Sequence, residues 1–230
     1  MLRNCYDWDC GEETNFWEII CDEDIPIEKL PSKTRNQIRR SLRDCVIRRI
    51  NRQNMIKDDA YNVFIKAFER YKNITLTLPS REIWESNLKD GDSIDYWGAY
   101  KKDNQQLIAW ALNIKKNRSV SYSTLKAIPE YMNKHYPYFG LLYEMNKYYL
   151  GEKGYLFVSD GWRSITEHSG IQPFLEKNFF FRKSYCKMKL YYKFCFAILI
   201  KFLYPFRHLR ILPLKVRNML KFEEINRQLC

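Results

Sequence analysis

The sequence predicts a mixed α/β domain with a largely antiparallel sheet flanked by helices, followed by a basic amphipathic helical tail. Three observations carry that expectation. From Asp95 to Tyr192, hydrophobic periodicity and turn residues read strand, strand, strand, helix, strand, helix, strand. The 230-residue chain is 46% hydrophobic and 16% aromatic, with only eight glycines and eight prolines, which is the composition of a packed core rather than of a linker-rich chain. Beyond residue 192 the pattern changes to bases arranged around apolar helical faces. The expected division is therefore a domain over residues 1–192 and a tail over 193–230.

Taken in order, residues 1–30 alternate acids with Trp8, Phe16, Trp17, Ile19 and Ile20, and the run from Asn15 to Cys21 reads as a strand feeding a turn at Pro26. Ser32 is placed to cap a helix from Lys33 to Cys45, and the β-branched run from Val46 to Ile50 reads as a strand. Tyr61, Phe64, Ile65 and Phe68 recur at helical spacing, which predicts a helix from Ile56 to Tyr71. After Leu78-Pro79-Ser80, a short helix from Arg81 to Leu88 leads through Asp90-Gly91-Asp92 into three antiparallel strands. These are Tyr96 to Lys101, Leu107 to Lys115 and Val120 to Ala127, with turns at Asp103-Asn104 and Asn117-Arg118. Pro137 suits the first position of a helix ending near Gly151. Tyr155 to Val158 is a short buried strand, Ser169 with Gln172 resembles a capping box, and Phe180 to Tyr192 reads as one long last strand. The tail divides into helices from Phe194 to Leu209 and from Leu214 to Leu229.

The net charge of +12 is unevenly placed. Residues 1–30 hold nine acids against two bases, residues 31–54 hold eight bases against Asp44, and the tail from Lys187 carries ten bases against Glu223 and Glu224. Phosphate-bearing cofactors, anionic lipid and nucleic acid all suit such surfaces. Seven cysteines without a C-x-x-C pair and three histidines point to reduced thiols and to no metal site, as in a cytoplasmic protein. The acidic start does not read as a signal peptide, and the longest apolar stretch, Phe194 to Tyr204, is about half a bilayer span and is broken by Lys201.

The junction before the last strand reads Phe174-Leu-Glu-Lys-Asn-Phe-Phe180. With the element order, it resembles the Gcn5-related N-acetyltransferase (GNAT) superfamily and its Fem-type peptidyltransferase relatives, which often show Asn-x-x-Ala-x-x-Phe-Tyr-Glu-Lys-x-Gly-Phe at this place. Phe174, Glu176, Lys177 and Phe180 agree with that pattern, whereas His168 stands at the Asn, Leu175 at the Tyr and Phe179 at the Gly. The resemblance covers residues 95–192, and residues 16–72 more loosely. It implies a bacterial-type acyltransferase carrying an acyl group, acetyl from acetyl-CoA or another acyl-CoA, to an amine on a small molecule or a cell-envelope precursor. A Fem-type enzyme would take aminoacyl-tRNA instead, and a protein of this fold without donor binding would be a non-catalytic binding protein.

The resemblance places the donor at the end of the third strand and the start of the next helix, on Lys126, Ala127, Ile128, Lys134, Tyr138, Phe139 and Gly140. The usual Gln/Arg-x-x-Gly-x-Gly/Ala loop is absent from the stretch Lys134 to Leu142, where Gly140 alone remains. A helix N-terminus still offers N–H groups and a positive dipole to a pyrophosphate. Amine acylation needs chiefly an amine held against the carbonyl, and proximity can supply about 7–11 kcal/mol. The candidates for proton transfer are Tyr122, Asp160 and His168. Each has a plainer reading, as core filler, as a turn residue and as a helix cap respectively. The helix bearing Arg35, Arg39, Arg40 and Arg43 can track a phosphate backbone such as tRNA or pair with the acidic N-terminus. The tail can lie on an anionic membrane, peripheral at the inner face, or pack on the domain or on a homodimer partner.

Overall fold

The computed structural model describes residues 1–68, 78–164, 170–209 and 211–228. It begins with β1 (Leu2–Tyr6), β2 (Trp17–Cys21), α1 (Ser32–Asp44), β3 (Cys45–Ile50), α2 (Arg52–Lys57), α3 (Ala60–Phe68) and α4 (Arg81–Ser86). The antiparallel strands β4 (Ile94–Lys101), β5 (Leu107–Lys115) and β6 (Ser119–Ala127) follow, then α5 (Pro129–Met132) and α6 (Pro137–Asn146). A π-helical segment, Lys147–Glu152, continues α6. The chain closes with β7 (Phe157–Trp162), α7 (Ile171–Phe179), β8 (Arg182–Tyr185), β9 (Lys187–Tyr191), α8 (Phe194–Leu203) and α9 (Leu214–Gln228).

Two compact units share these elements. The larger comprises Cys21–Asp160 with Lys177–Phe180. In it the strands neighbour in the order β3-β4-β5-β6-β7. The first three pairings are antiparallel and the last is parallel. Nearly every residue of β4 and most of β5 are buried, as strands covered on both faces must be. Met55, Val63, Trp84, Tyr100, Trp110 and Ile128 form a core under α2, α3 and α4. Elsewhere in this unit α6 packs on α1, and Gly140 is what lets them approach. A Cβ there would strike the Ser41 hydroxyl and come within 3.2 Å of Ile47. The glycine is therefore set by helix packing.

The smaller unit comprises Met1–Ile20, Gly161–Glu176 and Phe181–Cys230. The end of β7, β2 and β8 lie in it in that order, β2 and β8 antiparallel, and β1 pairs with β9 as a separate antiparallel ribbon. Phe16, Cys186, Met188, Leu190 and Ile225 form its core. The Arg3 guanidinium lies 5.4 Å from the Phe16 ring centroid and 5.9 Å from that of Trp162. The last helix belongs to this core: the Leu190 N–H donates to Asn226 Oδ1 at 2.9 Å and the Tyr192 hydroxyl to Glu223 Oε2 at 2.8 Å. Residues after 192 thus share a unit with the N-terminal strands.

Several elements differ from the sequence expectation. The helix expected over 56–71 is two helices, broken at Asp58 and Asp59, where Asp59 takes φ 56 and Asn51 and Asn54 cap α2 reciprocally. Residues 69–71 of that expectation, and Ser169 of the expected capping box, lie outside the described residues. Ser32 is the first residue of α1 and makes no cap bond, Pro31 standing in the cap position. The single last strand is two, because the Cys186 N–H bonds the Phe16 carbonyl at 3.0 Å while Thr14 Oγ1 donates to the Cys186 carbonyl at 2.8 Å, ending one pairing before the next begins. α8 stops at Leu203, ahead of Leu209, where a 3₁₀ turn over Tyr204–Phe206 carries Pro205. β1 carries no alternation strong enough to have announced it.

Candidate functional site

β6 and β7 are neighbours over three residue pairs only, Ser119 with Phe157, Val120 with Val158 and Ser121 with Ser159. Beyond Ser121, β6 runs on to Ala127 with no further β7 pairing among the described residues. Its other edge stays paired with β5, and the Ile128 N–H donates to the Ile108 carbonyl at 2.9 Å. Antiparallel alternation from that bond turns the backbone groups of Leu125 and Ala127 toward the side from which β7 has departed. The Tyr138 hydroxyl, in the first turn of α6, donates to the Leu125 carbonyl there at 3.3 Å.

The residues expected to hold a donor lie around this parting but are largely engaged. Ala127 and Ile128 are buried, and the Ile128 amide belongs to the sheet. Lys126 is half-buried, its Nζ 4.3 Å from the Phe68 ring centroid, and burial lowers its pKa. Lys134 is exposed. Its N–H donates to the Tyr131 carbonyl at 3.2 Å. Pro137 at the first position of α6 has no N–H, and the Phe139 N–H donates to the Tyr136 carbonyl at 2.9 Å. Two of the three first-turn positions thus offer no amide to an anion, and Gly140 is fixed against Ser41.

Of the proton-transfer candidates, Tyr122 is 8% exposed. Its hydroxyl donates to Asn146 Oδ1 at 2.7 Å, and burial pushes its pKa up. Asp160 lies inside β7 rather than in a turn after it, and the positive φ falls on Gly161, at 91°. His168 lies outside the described residues. At the motif, Leu175 is fully buried. The left-handed residue that would suit a glycine is Phe180, at φ 54, one position after the expected Phe179. Phe179 instead packs on Phe139, ring centroids 5.9 Å apart.

Two features of the larger unit escaped the sequence. The first is a shallow cleft, open to solvent, beside α6. Ile25, Leu30 and Phe179 give it apolar wall, while Asp24, Tyr143, Asn146 and Lys147 bring a carboxylate, a phenol, an amide and an ammonium. Tyr143, Asn146 and Lys147 share a helix face by their i, i+3, i+4 spacing, where α6 passes into the π-helical segment. Burial raises the Tyr143 pKa, and the neighbouring Glu144 carboxylate adds to it. Gly151 lies directly against the Asp24 carboxylate, so a side chain there would displace it.

The second is a buried polar network. Asp95, 4% exposed, accepts from Arg49 at 2.7 Å, from Lys115 at 3.2 Å and from the Tyr149 hydroxyl at 2.9 Å. Arg49 also donates to the Tyr148 hydroxyl. The network ties β3, β4 and β5 to the π-helical segment and so fixes the helix that carries Asn146 and Lys147. His135 similarly ties the stretch before α6 to the end of α1, its Nδ1 3.2 Å from Asp44 Oδ2.

This arrangement of strands and helices is shared with solved structures. The chain is similar to FemX, with a TM-score of 0.56 and 14% identity over 73% of this chain and 59% of that one. It is also similar to the C-terminal domain of a putative lysylphosphatidylglycerol synthetase from Agrobacterium fabrum, with a TM-score of 0.52 and 10% identity over 81% of this chain and 61% of that one. The chain thus spans less than two thirds of the length of either. No family model matches it, and no curated protein does. At these identities the likeness gives the fold, which is GNAT-like in the Fem-type arrangement.

Proposed function

We propose that the chain is a Fem-type acyltransferase that passes an activated acyl group to an amine, with aminoacyl-tRNA as donor in preference to acyl-CoA. The observation that carries it is the parting of β6 from β7 after three pairs, on a fold shared with FemX. Where the parallel pair parts, the edge of β6 beyond Ser121 turns toward the space that an extended donor would enter, and Tyr138 already holds the Leu125 carbonyl there. Two features favour aminoacyl-tRNA. The start of α6 is poor in the N–H groups that a coenzyme pyrophosphate needs. Lys33, Arg39, Arg40 and Arg43 are exposed along α1, where they suit a phosphate backbone, while Asp7 and Asp9 of the acidic N-terminus pair with Lys187 and Arg182.

In this reading the cleft beside α6 takes the acceptor. Asp24 holds its ammonium and accepts the proton that must leave before attack, while Asn146 and Lys147 face its polar remainder. The amine nitrogen then forms a bond to the acyl carbon as the ester carbon–oxygen bond of the donor breaks. The departing ribose oxygen takes up a proton, and the products are an amide and free tRNA. Tyr122, bonded to Asn146, acts by holding that amide in place. Asp160 and His168 remain the alternatives for proton transfer.

Two measurements test the donor. Labelled aminoacyl-tRNA should bind with an affinity that falls steeply as salt rises, and its aminoacyl group should pass to an amine acceptor. Acetyl-CoA should leave the melting temperature unchanged. A rise in Tm with the logarithm of acetyl-CoA concentration would move the donor to acyl-CoA. Binding of neither donor would leave the non-catalytic reading of the fold.

A further inference from the structure

α8 is apolar on almost every side, yet it is hardly covered. Of its ten residues only Ile200 is buried. Phe194 is 80% exposed and Phe202 77%, with Ile198 and Leu199 exposed between them. The apolar surface continues past the helix through Phe206, Leu209, Ile211 and Leu214, all exposed. Scattered single hydrophobic residues are ordinary on a protein surface, but a contiguous run of this kind marks a contact. No helix of the described residues is long and apolar enough to cross a membrane.

Charge identifies the partner. From Lys187 to Lys221 the chain has nine Lys or Arg residues and no acid. Lys193, Lys201 and Lys215 are exposed and form no ion pair among the described residues. Arg207 is held by Glu224 at 3.1 Å and takes no part. A second copy of the chain would bring the same bases against these and no acid from this stretch to answer them. An anionic bilayer offers hydrocarbon to the phenylalanines and phosphate to the lysines together.

We propose that α8 and the described residues after it, 204–209 and 211–214, lie on an anionic lipid surface, with α9 anchoring them to the smaller unit. α9 suits that role because Leu220 and Ile225 are buried and Glu223 accepts from Tyr192. The segment lies in the interface rather than spanning it. The inference is independent of the acyl-transfer reading.

The test is sedimentation of the full chain with vesicles of phosphatidylglycerol mixed with phosphatidylcholine, against vesicles of phosphatidylcholine alone. The anionic vesicles should carry the protein down, and raising the salt to about 1 M, where the Debye length shrinks to about 3 Å, should weaken the binding. Lys193→Glu with Lys201→Glu should lower the partition coefficient at least about tenfold. Phe194→Ser with Phe202→Ser should do the same with an unchanged melting curve, because both rings are exposed. Vesicles should also shield Cys195, exposed on α8, from an aqueous alkylating agent. Failure to sediment with either vesicle overturns the proposal. So does serine-variant binding equal to that of the parent, or a dimer in solution that the serine variant dissociates.

Discussion

Tyr149 and Asp95 join the π-helical end of α6 to the sheet. The Tyr149 hydroxyl donates to Asp95 Oδ2 at 2.9 Å while accepting from Trp97 Nε1 at 2.9 Å and from Asn113 Nδ2 at 3.3 Å. Tyr149→Phe removes the shared partner and leaves the indole and amide donors buried without it. The expected loss is about 1–3 kcal/mol, measured as a shift in the urea midpoint at unchanged m-value. An unchanged midpoint would mean that water replaces the hydroxyl.

Ser41 and Gly140 set the distance between α1 and α6. Gly140→Ala should cost about 1–3 kcal/mol by overpacking. Ser41→Ala should be neutral or slightly stabilising, because the Ser41 hydroxyl is buried and has no hydrogen-bond partner among the described residues. The double variant should be more stable than Gly140→Ala alone, the added methyl meeting one atom fewer. Strict additivity in this cycle would place the clash elsewhere.

Acid should weaken the smaller unit through Asp9. Arg182 donates to both its oxygens, at 2.7 and 2.8 Å, and these bonds hold its carboxyl below the ordinary range against the opposing effect of burial. The folded pKa thus lies below the unfolded value of about 3.9, and the ionised form favours folding. The contribution is present above about pH 4 and disappears as pH falls through the folded value. Tm measured from about pH 6 down to about pH 2 should show a flatter acid limb for Asp9→Asn than for the parent. Identical limbs would mean that solvent screens the pair.

Thiol reactivity should separate the cysteines. Burial pushes the Cys21 and Cys45 thiols up to about 11 and that of Cys186 up to about 12, while Cys195 is exposed. Because the thiolate is the reacting form, timed alkylation near pH 8 followed by mass spectrometry should modify Cys195 first among the cysteines of the described residues. Cys21, Cys45 and Cys186 should react only on unfolding. Early modification of Cys21 would contradict its burial.

Asp24→Asn tests the acceptor cleft. The variant loses a charge-assisted hydrogen bond of about 1.5–3 kcal/mol and the acceptor of the amine proton together, so kcat/KM for the amine acceptor should fall at least about 10–150-fold. Donor binding and Tm should be unchanged, since Asp24 is exposed. Full activity in this variant would remove the cleft from the reaction and return attention to Asp160 and His168.

Much of the architecture was legible because its signals are local. The strand runs of β4, β5 and β6 and the Pro137 start of α6 fall where the sequence places them. The cleft was not legible. Asp24 and Lys147 lie far apart in the chain, and neither stands in a motif; Asp95 reads as the polar start of a strand until β3 and β5 bring Arg49 and Lys115 to it. Gly140 shows the converse, a residue that the sequence offers to a phosphate and the packing assigns to Ser41.

The sequence by itself determined the order of elements, the hydrophobic faces and the excess of bases, because periodicity and charge are properties of neighbouring residues. Only the tertiary structure decided which parts of that pattern are covered. A bulge between Leu112 and Asn113 shifts the register of β5 on β6, setting Asn113 opposite Tyr122 and burying it among Tyr149 and Met145. The two tail helices show the same: the more polar α9 finds Phe16 and Leu190 to cover Ile225, while Phe194 and Phe202 of the apolar α8 stay exposed. Burial depends on what the rest of the chain brings alongside, and that is fixed by packing rather than by local pattern.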